Sequence, residues 1–148
     1  MASLKQRLML RLINLWPPFA ATGIHVSLAP DMKSVHVTMK LRFWNRNFVG
    51  THYGGSLYSM TDPFYMLMLI QNLGPDYVVW DKAAHIRFRR PGTGTVDADF
   101  RITDQQLAGI REQLKHEPKL ESTFIVEVRD GSGEVVAVVE KVLHIRKK

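Results

Sequence analysis

A strongly apolar segment in the middle of the chain is the feature that most restricts its fold. The segment runs from about Ser56 to Leu73, contains the run PFYMLMLI, and is closed by Gly74-Pro75. Its length and the Gly-Pro stop favour a helix. Because the segment is apolar almost all round, such a helix must be buried inside the protein.

The segments on both sides of this helix alternate between apolar and polar residues, which is typical of half-buried strands. We predict strands at residues 24–28, 35–41, 77–90, 95–103, 124–129 and 135–145. Turns at residues 30–34 and 130–133 join the first and last pairs into hairpins, and a short amphipathic helix capped by Asp104 precedes the last pair. Hairpins suggest an antiparallel sheet, so we predict an α+β fold in which this sheet wraps a long central helix.

The alternation also predicts which side chains face the core. In the strand at 77–90, Ala84, Ile86 and Phe88 share one face, and His85, Arg87 and Arg89 share the other. In the next strand the inward side chains are Val96, Ala98, Phe100 and Ile102.

The N-terminal residues 1–17 predict an extra amphipathic helix. Leucines at positions 4, 8, 12 and 15 follow helical spacing, basic residues separate them, and Pro17-Pro18 is expected to end the helix. Packing of this helix on its own domain is favoured over binding to a membrane surface. We find neither a clear signal peptide nor an apolar run long enough to span a bilayer.

The composition fits one domain covering residues 1–148, since 45% of the residues are hydrophobic and can form a sizeable core. The chain has no cysteine, which excludes disulfides and a cysteine nucleophile and is compatible with a cytoplasmic location. Its net charge of +6 favours acidic ligands such as phosphate-bearing small molecules. No nucleic-acid-binding pattern accompanies that charge, and the histidines are too scattered to suggest a metal site, so we expect no cofactor.

Asp62 is the first candidate for chemistry, and two interpretations stay open. It caps a helix whose first residue is Pro63, or it lies inside a kinked helix and faces a cleft. In the second case the neighbouring Phe, Tyr and Met side chains would partly desolvate the carboxylate. Desolvation would make it more basic and suited to act as a general base or nucleophile.

The polar stretch before Asp62 supplies further candidates. Gly54 and Gly55 form either an ordinary turn or the start of a helix, where unpaired N–H groups can polarise a carbonyl or bind phosphate. Asn47 and His52 each have an ordinary turn or surface interpretation as well. Arg87, Arg89 and Arg90 form the densest basic cluster, which is either a solvated strand end or an anchor for a phosphorylated ligand.

Taken together, the order of elements and the spacing of Asn47, Gly54-Gly55 and Asp62 resemble the hot-dog-fold acyl-CoA thioesterases. The resemblance is greatest to the phenylacetyl-CoA thioesterase type and a poorly characterised bacterial branch of it, and it covers about residues 24–145. Related enzymes often have a histidine directly before the two glycines. Here that position is Tyr53, and His52 lies one residue earlier.

The resemblance implies a homodimer, or a homotetramer, with the active site between protomers. Asp62 would activate water or attack the thioester, and the amide of Gly54 or Gly55 would polarise the carbonyl. Asn47 would orient substrate or water. Tyr53 and His52 would contact the substrate. Arg87, Arg89 and Arg90 could bind the phosphates of coenzyme A, an expectation that rests on their charge and not on a family motif. The alternative is a non-catalytic module that binds or senses an acyl-CoA or fatty-acyl ligand.

Overall fold

A computed structural model of the protein describes residues 8, 10 and 12–148. Four helices are labelled in it: α1 (Pro17–Thr22), α2 (Gly54–Ser59), α3 (Phe64–Leu73) and α4 (Asp104–His116). The strands are β1 (Ile24–Leu28), β2 (Ser34–Lys40), β3 (Tyr77–Phe88), β4 (Thr95–Arg101), β5 (Lys119–Asp130) and β6 (Val135–Lys147). A single 3-10 turn at Ile13–Leu15 precedes α1.

The six strands form one antiparallel sheet in the order β1-β2-β4-β5-β6-β3. The α+β prediction is confirmed, because this sheet packs around α3 and a small helix lies near the N-terminus. The alternation determines the buried face: Val96, Ala98, Phe100 and Ile102 are all buried, as predicted. Ala84, Ile86 and Phe88 also share one face of β3, but they are not buried there: Ile86 is half-buried, and Ala84 and Phe88 are exposed.

The central apolar segment forms two helices, so the prediction of one continuous helix is wrong. Helix α2 ends at Ser59, and α3 begins at Phe64 after a break that contains Asp62 and Pro63. Pro63 has no N–H to donate to an earlier turn, which explains why the helical hydrogen bonds are interrupted there. Aromatic contacts hold helix α3 against the sheet. The ring centroids of Phe64 and Phe100 are 5.0 Å apart, and the ring of Tyr65 stacks on that of Phe124 with a centroid distance of 4.6 Å.

The two edges of the sheet differ. At β1 the Asn14 side chain covers one residue of the edge: its Nδ2 donates to the Val26 carbonyl at 3.0 Å, and its Oδ1 accepts from the Val26 N–H at 2.7 Å. At the other edge, no strand within residues 12–148 pairs with the outer side of β3. An unpaired edge strand of 12 residues is a template for pairing with another chain.

Two predicted helix boundaries are wrong. Pro17 and Pro18 begin α1 instead of ending a helix, because proline fits the first turn, where no N–H bond is needed. Thr103, not Asp104, caps α4: its side chain accepts from the Gln106 N–H, and Gln106 bonds back to the Thr103 N–H.

Most of the predicted N-terminal helix, including Leu4, lies outside the described residues. Of the predicted leucine stripe, Leu8, Leu12 and Leu15 are exposed in the structure. None of the described helices is long and apolar enough to cross a membrane.

Candidate active site

Asp62 lies in the break between α2 and α3, with its side chain 46% exposed. The Tyr58 hydroxyl donates to Asp62 Oδ1 at 2.9 Å, which is possible because the two residues are four positions apart around a helical turn. Pro63, not Asp62, is the residue at the start of α3, and no side chain caps that helix. The helix-cap interpretation of Asp62 is therefore wrong, and its carboxylate is partly exposed at the break.

A second donor reaches the same oxygen from the sheet. The Lys141 Nζ donates to Asp62 Oδ1 at 2.8 Å and lies 3.3 Å from the Tyr58 hydroxyl. The Lys141 side chain is fully buried. Burial by itself would lower the pKa of Lys141, but the Asp62 and Asp81 carboxylates and the Tyr58 hydroxyl raise it above the usual value. Lys141 is therefore an ammonium ion at neutral pH.

Asp81 completes this group from the edge strand β3, beside a register irregularity between Asp81 and Ala83. Its Oδ1 lies 3.3 Å from the Lys141 Nζ, within ion-pair distance but without hydrogen-bond geometry. Burial raises the pKa of Asp81, the Lys141 ammonium opposes that rise, and the Asp62 charge adds to it. For Tyr58, burial and the bond to Asp62 raise the pKa against the effect of Lys141. We call Tyr58, Asp62, Asp81 and Lys141 the carboxylate–lysine cluster.

Sequence reasoning identified only Asp62 in this cluster. One available signal was Lys141 itself, which interrupts a valine-rich strand at an inward position between Val139 and Leu143. A lysine that alternates in phase with core residues must be paired inside the protein. Nothing in the sequence, however, indicates which carboxylate pairs with it.

Gly54 and Gly55 are the first two residues of α2. Within residues 12–148, neither N–H donates to another protein group, as expected for the first turn of a helix. A Cβ on Gly54 would lie 2.9 Å from the Phe88 ring, and one on Gly55 would lie 2.5 Å from the Tyr53 ring. The glycines therefore allow aromatic side chains to pack directly on the helix start.

Asn47 organises the loop that precedes α2. Its Oδ1 accepts from the N–H groups of Val49 and Thr51, and its Nδ2 donates to the Thr51 hydroxyl and the His52 carbonyl. All its polar atoms thus bond to its own loop, a pattern that stabilises turns. Its predicted role in orienting substrate stays a prediction.

His52 is buried, with Nε2 at 3.0 Å from the Gly94 carbonyl, an arrangement that requires Nε2 to carry the proton. Its Nδ1 is buried and makes no hydrogen bond within the described chain. Burial lowers the pKa of His52, partly offset by the bond to Gly94. A neutral imidazole that packs against Gly92 holds the loop in place.

Several predicted site residues line one cleft of about 440 Å³ between the loop and the end of β3. It brings together Asn47, His52, Gly54, Arg89 and Arg90. Arg90 is partly neutralised by Glu134, whose Oε2 lies 3.3 Å away. Tyr53 and Gly55 line a neighbouring cleft beside Trp44. Arg87 lines neither cleft, and its Nε lies 3.4 Å from the Nε2 of His85.

The glycine amides and the Asp62 carboxylate lie at opposite ends of α2. At about 1.5 Å per residue, the six residues of this helix separate them by roughly 9 Å. One copy of the chain therefore does not place the glycine amides and the carboxylate around one thioester group.

A separate group of possible metal ligands lies on the exposed face of the sheet. His36, Asp97 and Asp99 have ligand atoms within 4.8 Å of one another, and the His36 Nδ1 is 2.8 Å from Asp99. The sequence did not indicate this grouping, because it depends on the pairing of β2 with β4.

An antiparallel sheet wrapped around a central helix is the hot-dog fold, and this protein has it. Within that class the chain belongs to the family defined by the domain of unknown function DUF4442, whose model matches residues 5–145.

Similar solved structures support the fold. A Pseudomonas aeruginosa protein of unknown function, described as a probable thioesterase, is 21% identical with a TM-score of 0.83, over 96% of this chain and 95% of that one. The thioesterase HI1161 of Haemophilus influenzae is 15% identical with a TM-score of 0.69, over 99% and 92%. The E. coli PaaI protein from the phenylacetic acid degradation operon is 19% identical with a TM-score of 0.66, over 100% and 97%. No curated protein matches the sequence.

Proposed function

We propose that the protein hydrolyses an acyl-CoA thioester, with Asp62 as general base or nucleophile. The observation that carries this proposal is the environment of Asp62. Its carboxylate lies at a break in an apolar helix, both of its protein hydrogen bonds fall on Oδ1, and the side chain is half exposed. Within the described chain Oδ2 makes no hydrogen bond, so it is available to water or to a thioester carbon.

Besides the carboxylate, hydrolysis requires a water molecule and a hydrogen-bond donor to the carbonyl oxygen. As a base, Asp62 takes a proton from water while the water oxygen attacks the carbonyl carbon. The tetrahedral intermediate then expels the coenzyme A thiolate, which takes the proton back from the Asp62 carboxyl to give the thiol and leaves a free acid. The N–H groups of Gly54 and Gly55 are the proposed donors to the carbonyl oxygen as it gains negative charge.

We propose that the complete site lies between two copies of the chain. The length of α2 separates Gly54 from Asp62 in one protomer, and β3 offers an open edge at which a second copy can pair. Such pairing would bring the glycine amides of one protomer towards Asp62 of its partner. The proposed assembly is a homodimer, from which a homotetramer can be built.

The cleft beside Gly54 is the proposed site for the phosphate-bearing part of coenzyme A. Arg89 and Arg90 line it next to the start of α2, and their guanidinium groups can bind phosphate oxygens bidentately. Tyr53 is exposed beside the same helix start and can contact the substrate. Arg87 lines neither this cleft nor the neighbouring one, so its contribution to this proposal is the weakest of the three arginines.

The test is release of free thiol from a panel of acyl-CoAs that includes short, long and phenylacetyl chains. We expect Asp62→Asn to lower kcat by about 100-fold or more, as for loss of a general base. Asp104→Asn is the matched control, because Asp104 is an exposed carboxylate on α4 that pairs with Lys33. Equal rates for the wild type and Asp62→Asn, or no turnover of any acyl-CoA, would contradict the proposal.

A non-catalytic acyl-CoA-binding module is the second candidate. Asn47 favours it, because its side chain is fully engaged in its own loop, and His52 favours it because it is buried and neutral. Isothermal titration calorimetry separates the two candidates: the binding module shows saturable affinity for acyl-CoA while no thiol is released.

A further inference from the structure

Lys141 occupies a position where a hydrophobic residue would be expected. It lies on the inward face of β6, in phase with Val139, Leu143 and Ile145, and its side chain is completely buried. Burying an ammonium ion is costly unless carboxylates and hydrogen bonds compensate for lost water. The arrangement of its partners therefore needs an explanation beyond packing.

Those partners come from different parts of the fold. Tyr58 lies on α2, Asp62 lies in the break before α3, and Asp81 lies on the edge strand β3. The residue opposite Lys141 on β5 is Phe124, which is apolar. The polar partners of the ammonium therefore lie towards the helical break and towards β3, and none of them lies on β5.

The hydrogen bonds act on one oxygen of Asp62. Tyr58 and Lys141 both donate to Oδ1, at 2.9 and 2.8 Å. Two donors from separate elements fix both the position and the rotation of a carboxylate, because each bond limits a different direction of movement. Fixing Oδ1 in this way also fixes the orientation of the other carboxylate oxygen, Oδ2.

We infer that Lys141 is the positioning residue of Asp62: its buried ammonium anchors Oδ1 so that Oδ2 points to the reacting group. This inference rests on the proposed function, in which Asp62 is the base or nucleophile. Lys141 does not touch the substrate in this scheme, so it acts only through Asp62.

Asp81 balances the charge of the cluster. It is the second carboxylate beside the buried ammonium, so Lys141 keeps one negative partner even when substrate or product changes the surroundings of Asp62. Asp81 is also the side chain that would suffer most from removal of the ammonium, since it is more buried than Asp62: their side chains are 23% and 46% exposed. A variant that removes only Lys141 would therefore confuse loss of positioning with loss of folding.

The experiment uses Lys141→Met together with the double variant Lys141→Met, Asp81→Asn, which removes the unpaired buried carboxylate. Lys115→Met, an exposed lysine on α4, is the matched control. For the double variant we expect a wild-type circular dichroism spectrum, a kcat about 100-fold lower, and a KM within about threefold of wild type. Lys141→Arg, which keeps the charge, is expected to recover part of kcat.

If the double variant is folded and has wild-type kcat, Lys141 is only a counter-ion for Asp81 and the inference is overturned. A fall in kcat that Lys141→Arg fails to reduce at all also overturns it, because the positive charge then has no role. A loss confined to KM has the same consequence, since positioning of the base acts on the chemical step.

A second readout does not depend on activity. Nuclear magnetic resonance of labelled lysine side chains, with Lys141→Met used for assignment, follows the titration of the Lys141 ammonium. We expect a pKa above the ordinary lysine value in the wild type and a lower one in Asp62→Asn. If no acyl-CoA is turned over, the proposed function fails, and this titration still decides whether Lys141 holds Asp62. An unchanged pKa in Asp62→Asn overturns the inference whatever the activity.

Discussion

The open edge of β3 allows a sharp test of self-association with two proline substitutions at neighbouring positions. The Arg89 N–H donates to the Val136 carbonyl at 2.8 Å, so Arg89 faces β6. In an antiparallel ladder, successive residues of a strand direct their backbone N–H groups alternately towards the paired strand and away from it. Arg87 therefore also directs its N–H towards β6, whereas Ala84, Ile86 and Phe88 direct theirs to the open edge.

Ile86→Pro should weaken the association of two copies without breaking the bonds of β3 to β6. Three edge-facing residues in each of two paired strands can form about six hydrogen bonds, each with a net value of about 1 kcal/mol. Proline in both copies removes two N–H donors and puts its rings in the interface. The expected loss of at least about 2 kcal/mol corresponds to a dissociation constant roughly 30-fold higher.

Sedimentation velocity over a range of concentrations measures this dissociation constant. Arg87→Pro is the control: it removes a bond inside the protomer and should lower the free energy of unfolding by at least about 1 kcal/mol. Ile86→Pro should change the unfolding of the monomer less than Arg87→Pro does. The reasoning is refuted if Ile86→Pro associates as tightly as the wild type, or if the wild type is monomeric at every concentration reached.

Three further changes test the local structure around the site. Because the pKa of His52 is lower in the folded protein than in the unfolded chain, protonation favours unfolding: its stabilising contribution is complete above about pH 6.5 and is lost as pH falls below that value. His52→Gln should remove this part of the pH dependence of unfolding in urea, and an unchanged profile would argue against a neutral buried imidazole. Asn47→Ala loses the bonds that hold its loop and should cost about 1–3 kcal/mol, measured by thermal unfolding; a loss of activity with full stability would instead favour a direct role in the site. Thr103→Ala should cost about 1 kcal/mol through loss of the α4 capping box, whereas Asp104→Ala should cost less, and the reverse order would contradict the assignment of the cap.

Sequence patterns predicted the fold well because they report which face of each element is buried. Alternation along the strand that contains Val96 and Phe100 identified its inward side chains, and the apolar segment identified the central helix. The apolar residues continue on both sides of Pro63, so the apolar pattern predicted one helix, and the interruption was considered only in the two interpretations of Asp62. Composition does not show where the hydrogen bonds of a helix are interrupted.

The candidate site was predictable only where its residues are close in sequence. The spacing of Gly54, Gly55 and Asp62 drew attention to the start and end of α2, and their chemical roles remain predictions. The three arginines looked equivalent in sequence, yet Arg89 and Arg90 line the cleft beside Gly54 and Arg87 does not. Similarly, the sequence could not show that His52 is buried beneath the loop.

The sequence by itself determined the positions of the strands, most of their inward residues and the burial of the central apolar segment, since these depend on local periodicity and on the cost of exposing apolar surface. The tertiary structure alone decided that Lys141 meets Asp62, 79 positions earlier in the chain, and that Asp81 joins them. It also decided that Asn14 bonds to Val26 at the edge of β1, while no strand within residues 12–148 pairs with the outer side of β3. Such contacts depend on strand order and register, which come from the packing of the whole chain, so no local pattern contains them.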